Sequence, residues 1–120
     1  MKTDYADLIG IPYKEHGRNK KDGFDCYGLV IECEKRHGKI LNDFYYNGRS
    51  EKLSEENTPS LNVVKTDAIQ EGTILEMRRN GNLHIGFALN ENEFIHCTEN
   101  QGVRVSHIDR KLIFNIYEVV

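Results

Sequence analysis

The chain has 120 residues, 38% of them hydrophobic and 29% charged, with a formal net charge of −3. That length suits a single domain over residues 1–120 with one buried core. The slight acidity and scattered Lys and Arg argue against nucleic-acid and membrane-surface binding, and no run of about 18 apolar residues offers a membrane-spanning helix.

The opening residues, Met1-Lys2-Thr3-Asp4-Tyr5, lack the apolar core of a signal peptide. The expectation is a chain that is cytoplasmic when made, a mature fragment, or one exported without a cleaved signal. Residues 3–10 read as a short helix, with Thr3 or Asp4 as cap and Gly10 as stop. A polar, glycine-containing loop follows and reaches Asp25.

The stretch Gly23-Phe24-Asp25-Cys26-Tyr27-Gly28-Leu29-Val30-Ile31 reads as a loop running into a buried helix, expected from Asp25 to His37 with Gly38 beyond it. Cys26, Leu29, Val30, Cys33 and His37 share one face at helical spacing. A thiol in the first helical turn lies at the positive end of the macrodipole, beside amides without partners. That setting favours the thiolate and lowers the thiol pKa, which makes Cys26 a candidate nucleophile. The competing reading is a small buried residue that packs the helix. Three cysteines, Cys26, Cys33 and Cys97, with no CxxC pair, suggest neither a disulfide framework nor a structural zinc site.

Residues 39–67 are weakly patterned, with a short helix near Ser54-Glu55-Glu56 as one reading. From Gly72 the period changes to two. Strands are expected at Thr73–Arg79, Leu83–Leu89, Glu93–Glu99, Gly102–Ile108 and Phe114–Val120, with Asn80-Gly81 as a turn. Short connections predict an antiparallel meander, and helices followed by a sheet predict an α+β fold.

A three-residue turn at Asn90-Glu91-Asn92 pairs Leu89 with Glu93. His84 then faces Thr98, His96 faces Gly86, and the histidines become diagonal neighbours, with Cα atoms roughly 6–8 Å apart. A two- or four-residue turn without a bulge would put them on opposite faces. Gly86 and Ala88 leave room on this face, and a helix carrying Cys26 there would align thiol, base and orienter. Cys97 should point the other way. His16, His37 and His107 read as surface or loop residues, with His107 a competitor for the third role. Structural histidines and a catalytic-type zinc site on Cys26, His84 and His96 are the other readings.

The chain resembles the NlpC/P60 cysteine peptidases, a papain-like group that cuts the peptide stems of bacterial cell walls. The matching stretches are Gly10-Ile11-Pro12-Tyr13, Phe24-Asp25-Cys26-Tyr27-Gly28-Leu29-Val30, Gly72-Thr73-Ile74-Leu75, His84-Ile85-Gly86-Phe87, Phe94-Ile95-His96-Cys97-Thr98 and Gly102-Val103-Arg104-Val105. The resemblance implies N-terminal helices packed on a five- to six-stranded antiparallel sheet. It implies Cys26 as nucleophile, His84 as base and His96 as third polar residue, with no cofactor or metal. It further implies Tyr13 beside the oxyanion position, and Asp25 and Tyr27 in substrate binding. The implied substrate is a peptidoglycan stem peptide, cut between γ-D-glutamate and a diamino acid. Tyr27 stands where the family usually has Ser, as in phage tail-tip members, which suggests phage tail proteins as partners and delivery to the cell wall. An inactive tail-assembly module and a related amidase or acyltransferase are the alternative functions.

Overall fold

A computed structural model describes residues 3–43, 61–79 and 81–120. The helix expected near Ser54-Glu55-Glu56 and the Asn80 half of the expected turn lie outside the described residues. The N-terminal segment forms a 3-10 turn, Ala6–Leu8, rather than an α-helix. Asp4 Oδ1 accepts from the Ala6 amide at 2.9 Å, and Gly10 leaves the turn with φ +90°. Two short strands, β1 (Arg18–Asn19) and β2 (Gly23–Phe24), form a small antiparallel hairpin just ahead of the helix.

Helix α1 spans Cys26–Arg36. Asp25 caps it by accepting from the Gly28 amide at 2.6 Å, which satisfies one of the orphan donors of the first turn. His37 closes it, and Gly38 turns the chain with φ +89°. The expected bounds therefore hold. Among the described residues α1 is the one α-helix, where a short helix over residues 3–10 was expected beside it.

The strands β3 (Val63–Lys65), β4 (Ile74–Arg79), β5 (Asn82–Ala88), β6 (Glu93–Thr98), β7 (Gly102–His107) and β8 (Ile113–Val119) form one antiparallel sheet. Its order is β3-β8-β4-β5-β6-β7. Strands β4 to β7 follow the expected meander. The last strand departs from it by returning along the free side of β4, where β3 pairs with its outer edge.

The helix packs on the sheet face that carries Leu83, Ile85 and Phe87 of β5 with Ile95 and Cys97 of β6. This corrects the expectation that α1 would lie on the Gly86–Ala88 face. The physical reason is apolar area. Large side chains each gain about 1.5–3 kcal/mol on burial, and Gly and Ala offer little. The space above Gly86 is filled instead by Phe94, whose ring would stand 2.5 Å from a Cβ there. Phe94 joins Leu75, Met77 and Ala88 in a second cluster on the far face.

Candidate active site

The strand register is the one that unites the histidines. The Leu89 amide donates to the Glu93 carbonyl at 2.9 Å, and Phe87 pairs with Ile95 and Ala88 with Phe94. His84 Nε2 lies 2.9 Å from His96 Nδ1, and the rings meet edge to face at 5.1 Å between centroids. His96 is backed by the Phe94 ring at 4.3 Å and reaches Ser106 Oγ on β7 at 2.9 Å through Nε2. Both histidines are buried.

The β5–β6 ladder stops at Phe87↔Ile95, so the two strands separate below that pair. In an antiparallel ladder alternate residues direct their amides to opposite neighbours. The Ala88 amide donates to Thr73 on the β4 side. By alternation the Ile85 amide points toward β6, where the ladder has ended. That amide and the amide of Tyr27 both favour the Cys26 thiolate. The first of these belongs to the peptide bond joining His84 to Ile85. The thiol at the head of α1 is thus under the influence of the amide of Ile85, the residue that follows the expected base. Among the described residues no hydrogen bond links the sulfur to the His84 ring itself.

Electrostatics at the site favour neutral groups. Burial pushes the Cys26 thiol up to about 12, against the two amides, and the Asp25 charge adds to the rise. The expectation that the helix start lowers the thiol pKa is therefore corrected, because desolvation outweighs the helix amides. Burial also pulls His84 down to about 4, with help from Arg79. It pulls His96 down to about 3, where the charges of His84, Arg104 and Arg79 act in the same direction. The thiol and both imidazoles are neutral at rest.

Tyr13 sits in a parallel bridge with Phe24, and burial raises its hydroxyl pKa, with the charges of Cys26 and Asp25 adding to the rise. Asp25 is buried and already engaged: its Oδ1 accepts from Gly28 and from Arg18 Nη1 at 2.8 Å. The Tyr27 side chain is fully buried, its hydroxyl donates to the Asn42 carbonyl, and the Arg18 guanidinium lies over its ring. What Tyr27 presents to the sulfur is its backbone amide. Cys97 points into the α1-side core, where Sγ contacts the Phe24 carbonyl oxygen at 3.2 Å. His107 ends β7, exposed and opposite Glu93, so it takes no part in the pair.

Among the described residues no group of three His, Cys, Asp or Glu side chains is placed to hold a metal ion. Sequence reasoning missed Ser106 and Arg18. The period-two pattern carries a signal for Ser106, since the His96↔Arg104 pairing puts residues 104 and 106 on the face of His96.

The NlpC/P60 family model matches residues 10–117. No curated protein matches the chain. Among solved structures, the NlpC/p60 domain of the peptidoglycan hydrolase SagA is similar at a TM-score of 0.62 and 19% identity, covering 96% of this chain and 91% of that one. A lipoprotein-like NLP/P60 family protein from Staphylococcus aureus subsp. aureus Mu50 is similar at a TM-score of 0.63 and 16% identity, covering 95% of this chain and 38% of that one. At those identities the likeness shows the fold, whereas the family match runs through the Cys26 helix and both histidine strands. The chain belongs to the NlpC/P60 family.

Proposed function

We propose that this chain is a cell-wall hydrolase, a cysteine endopeptidase of peptidoglycan stem peptides that cuts between γ-D-glutamate and a diamino acid. Family membership supports the substrate class, and one of the similar structures is described as a peptidoglycan hydrolase. The observation that carries the reading is the 2.9 Å His84–His96 bond, on the strand whose Ile85 amide bears on the helix-start thiol.

In this reading Cys26 Sγ attacks the scissile carbonyl carbon, and its proton moves to His84 Nδ1, the ring nitrogen not bonded to His96. Because burial disfavours a resting thiolate–imidazolium pair, proton transfer accompanies the attack. Charge then passes from sulfur to the carbonyl oxygen, where the Cys26 amide and the Tyr13 hydroxyl donate to it. The C–N bond breaks as His84 protonates the leaving amine, leaving a thioester on Cys26. Water, deprotonated by His84, hydrolyses the thioester, releases the carboxylate and restores the thiol.

Asp25 contributes by capping the helix that aims the sulfur. Its ion pair with Arg18 offsets the charge that recognition of a substrate amine would use. The expected phage-tail delivery rests on Tyr27, which has a packing reason to be aromatic.

A second reading, a structural module without turnover, is favoured by the sulfur's low exposure, 8% for Cys26. One experiment separates the two. Muropeptides incubated with the wild-type chain should yield products with a new diamino-acid amine, read by mass spectrometry. Cys26→Ala should abolish them, and His84→Ala should slow them by about 10²–10⁴-fold. Equal turnover by wild type and Cys26→Ala would end the peptidase reading, and absence of turnover by both would favour the structural module.

A further inference from the structure

We infer that Ser106 is a positioning residue of this site: by accepting from His96 Nε2, its Oγ holds both imidazoles in the tautomers that leave His84 Nδ1 free to take a proton. The inference rests on the proposed roles of Cys26, His84 and His96. It adds a residue that neither motif contains.

The tautomers follow from counting protons along a chain of bonds. A neutral imidazole carries one N–H and one lone pair. For His84 to act as a base through Nδ1, its proton must reside on Nε2. That Nε2–H can only donate to the atom 2.9 Å away, His96 Nδ1. His96 Nδ1 must then be the acceptor, so the His96 proton is on Nε2. The partner of His96 Nε2 is Ser106 Oγ at 2.9 Å, which must accept. Ser106 is half-buried on β7, so its own hydroxyl proton can be directed to water. The opposite chain reverses every bond. Ser106 would donate to His96, His96 Nδ1–H would donate to His84 Nε2, and His84 would carry its proton on Nδ1, where it could take no other.

A carboxylate in the place of Ser106 would fix the direction by charge. Here Ser106 offers a neutral hydroxyl instead. The charged and titratable groups that bear on His96 are His84 from β5, Arg104 from β7 and Arg79 from β4, and both arginines oppose protonation of the ring. Arg79 also opposes protonation of His84. His96 therefore acts as a neutral orienter, and a neutral orienter is only as good as the group that fixes its tautomer. Sheet register supplies the placement. Ser106 pairs with Phe94 and lies diagonal to His96 on the same face, while Phe94 stacks on the His96 ring from the other side.

The test uses the full chain in three forms: wild type, Ser106→Ala and Ser106→Thr. Long-range 1H–15N spectra of the imidazoles should show wild-type His84 and His96 each protonated at Nε2. Ser106→Ala should move part of the His96 population to the Nδ1–H form. On muropeptides it should lower kcat by about tenfold, part of what general-base catalysis supplies, with KM changed less than about twofold. Ser106→Thr keeps the hydroxyl and should restore both readouts. Thermal unfolding of each variant excludes a folding defect as the cause. Wild-type His84 found protonated at Nδ1, tautomers unmoved in Ser106→Ala, or a folded Ser106→Thr with no rescue would each overturn the inference. If wild type cleaves no muropeptide, the peptidase reading fails, and the tautomer shift alone decides the role of Ser106.

Discussion

Glu34 lies within α1 with its residue fully buried, and among the described residues neither carboxyl oxygen has a hydrogen-bond partner. Burial raises its pKa from 4.5 to about 8, and the Lys39 charge offsets only part of the rise. The folded state thus binds a proton that the unfolded state releases near pH 4.5. The stability this contributes is present below the unfolded value and is lost as pH rises through about 8. A tenfold difference in proton affinity between the folded and unfolded chain is worth about 1.4 kcal/mol, so the loss amounts to a few kcal/mol. Glu34→Gln keeps the shape and removes the charge. It should be more stable than wild type by roughly 2 kcal/mol above pH 8, with the difference vanishing below pH 4.5. Urea unfolding at the two pH extremes measures this, and a difference independent of pH would refute the assignment. A residue such as Glu34 is illegible in sequence, since it sits at a position that period counting assigns to water as readily as to core. The proposed catalytic set behaves otherwise. Turn length brings His84 to His96, and helix spacing puts Cys26 on the packed side of α1. Their ionisation was not legible, because desolvation depends on what covers them.

At the scale of elements, the glycines of the two motifs have geometric reasons. A Cβ on Gly28 would run into the carbonyl oxygen of Gly17 and lie 3.2 Å from Asp25 Oδ1. The helix start is pressed against the loop that precedes it, and only Gly permits the approach. Ala is ordinarily better than Gly inside a helix by about 1 kcal/mol. Here the obstacle is backbone, which cannot swing aside, so Gly28→Ala should destabilise by about 1–3 kcal/mol. It should also displace Cys26 from its amides. Chemical denaturation checks the first effect and faster alkylation of Cys26 in the folded protein checks the second; a stabilised variant would contradict the packing. Gly86 plays the matching part on β5, making room for the Phe94 ring that backs His96. Five strands and α1 were legible because their periods are long and clean. Strand β3 was not, since it is three residues long and its partner β8 lies at the far end of the chain. The helix went to the other face because alternation alone says which residues share a side, and the larger apolar side decides where a helix settles.

The whole molecule inherits an acid limit from the same buried pair. Asp7, held below the ordinary carboxylate range by Arg36 and Lys20, is stabilising above its unfolded pKa of 3.8, and its contribution is lost only at the acid extreme. His84 and His96 act earlier. Their folded values, about 4 and about 3, lie below the ordinary 6.5, so the unfolded chain takes up protons that the folded chain refuses. The sign follows: stability is full above pH 6.5 and falls as pH drops toward 4. With two such groups, the slope of unfolding free energy approaches about 2.7 kcal/mol per pH unit in that window. Set against a domain stability of about 5–15 kcal/mol, this is enough to make the imidazoles a main determinant of acid unfolding. Replacing one of them, as in His96→Asn, should roughly halve the slope, whether or not the variant is more stable at neutral pH. Denaturant unfolding at a series of pH values between 4 and 6.5 gives the slope directly. An unchanged slope in His96→Asn would mean that the ring is not buried neutral, and would remove the electrostatic basis for a neutral orienter at this position.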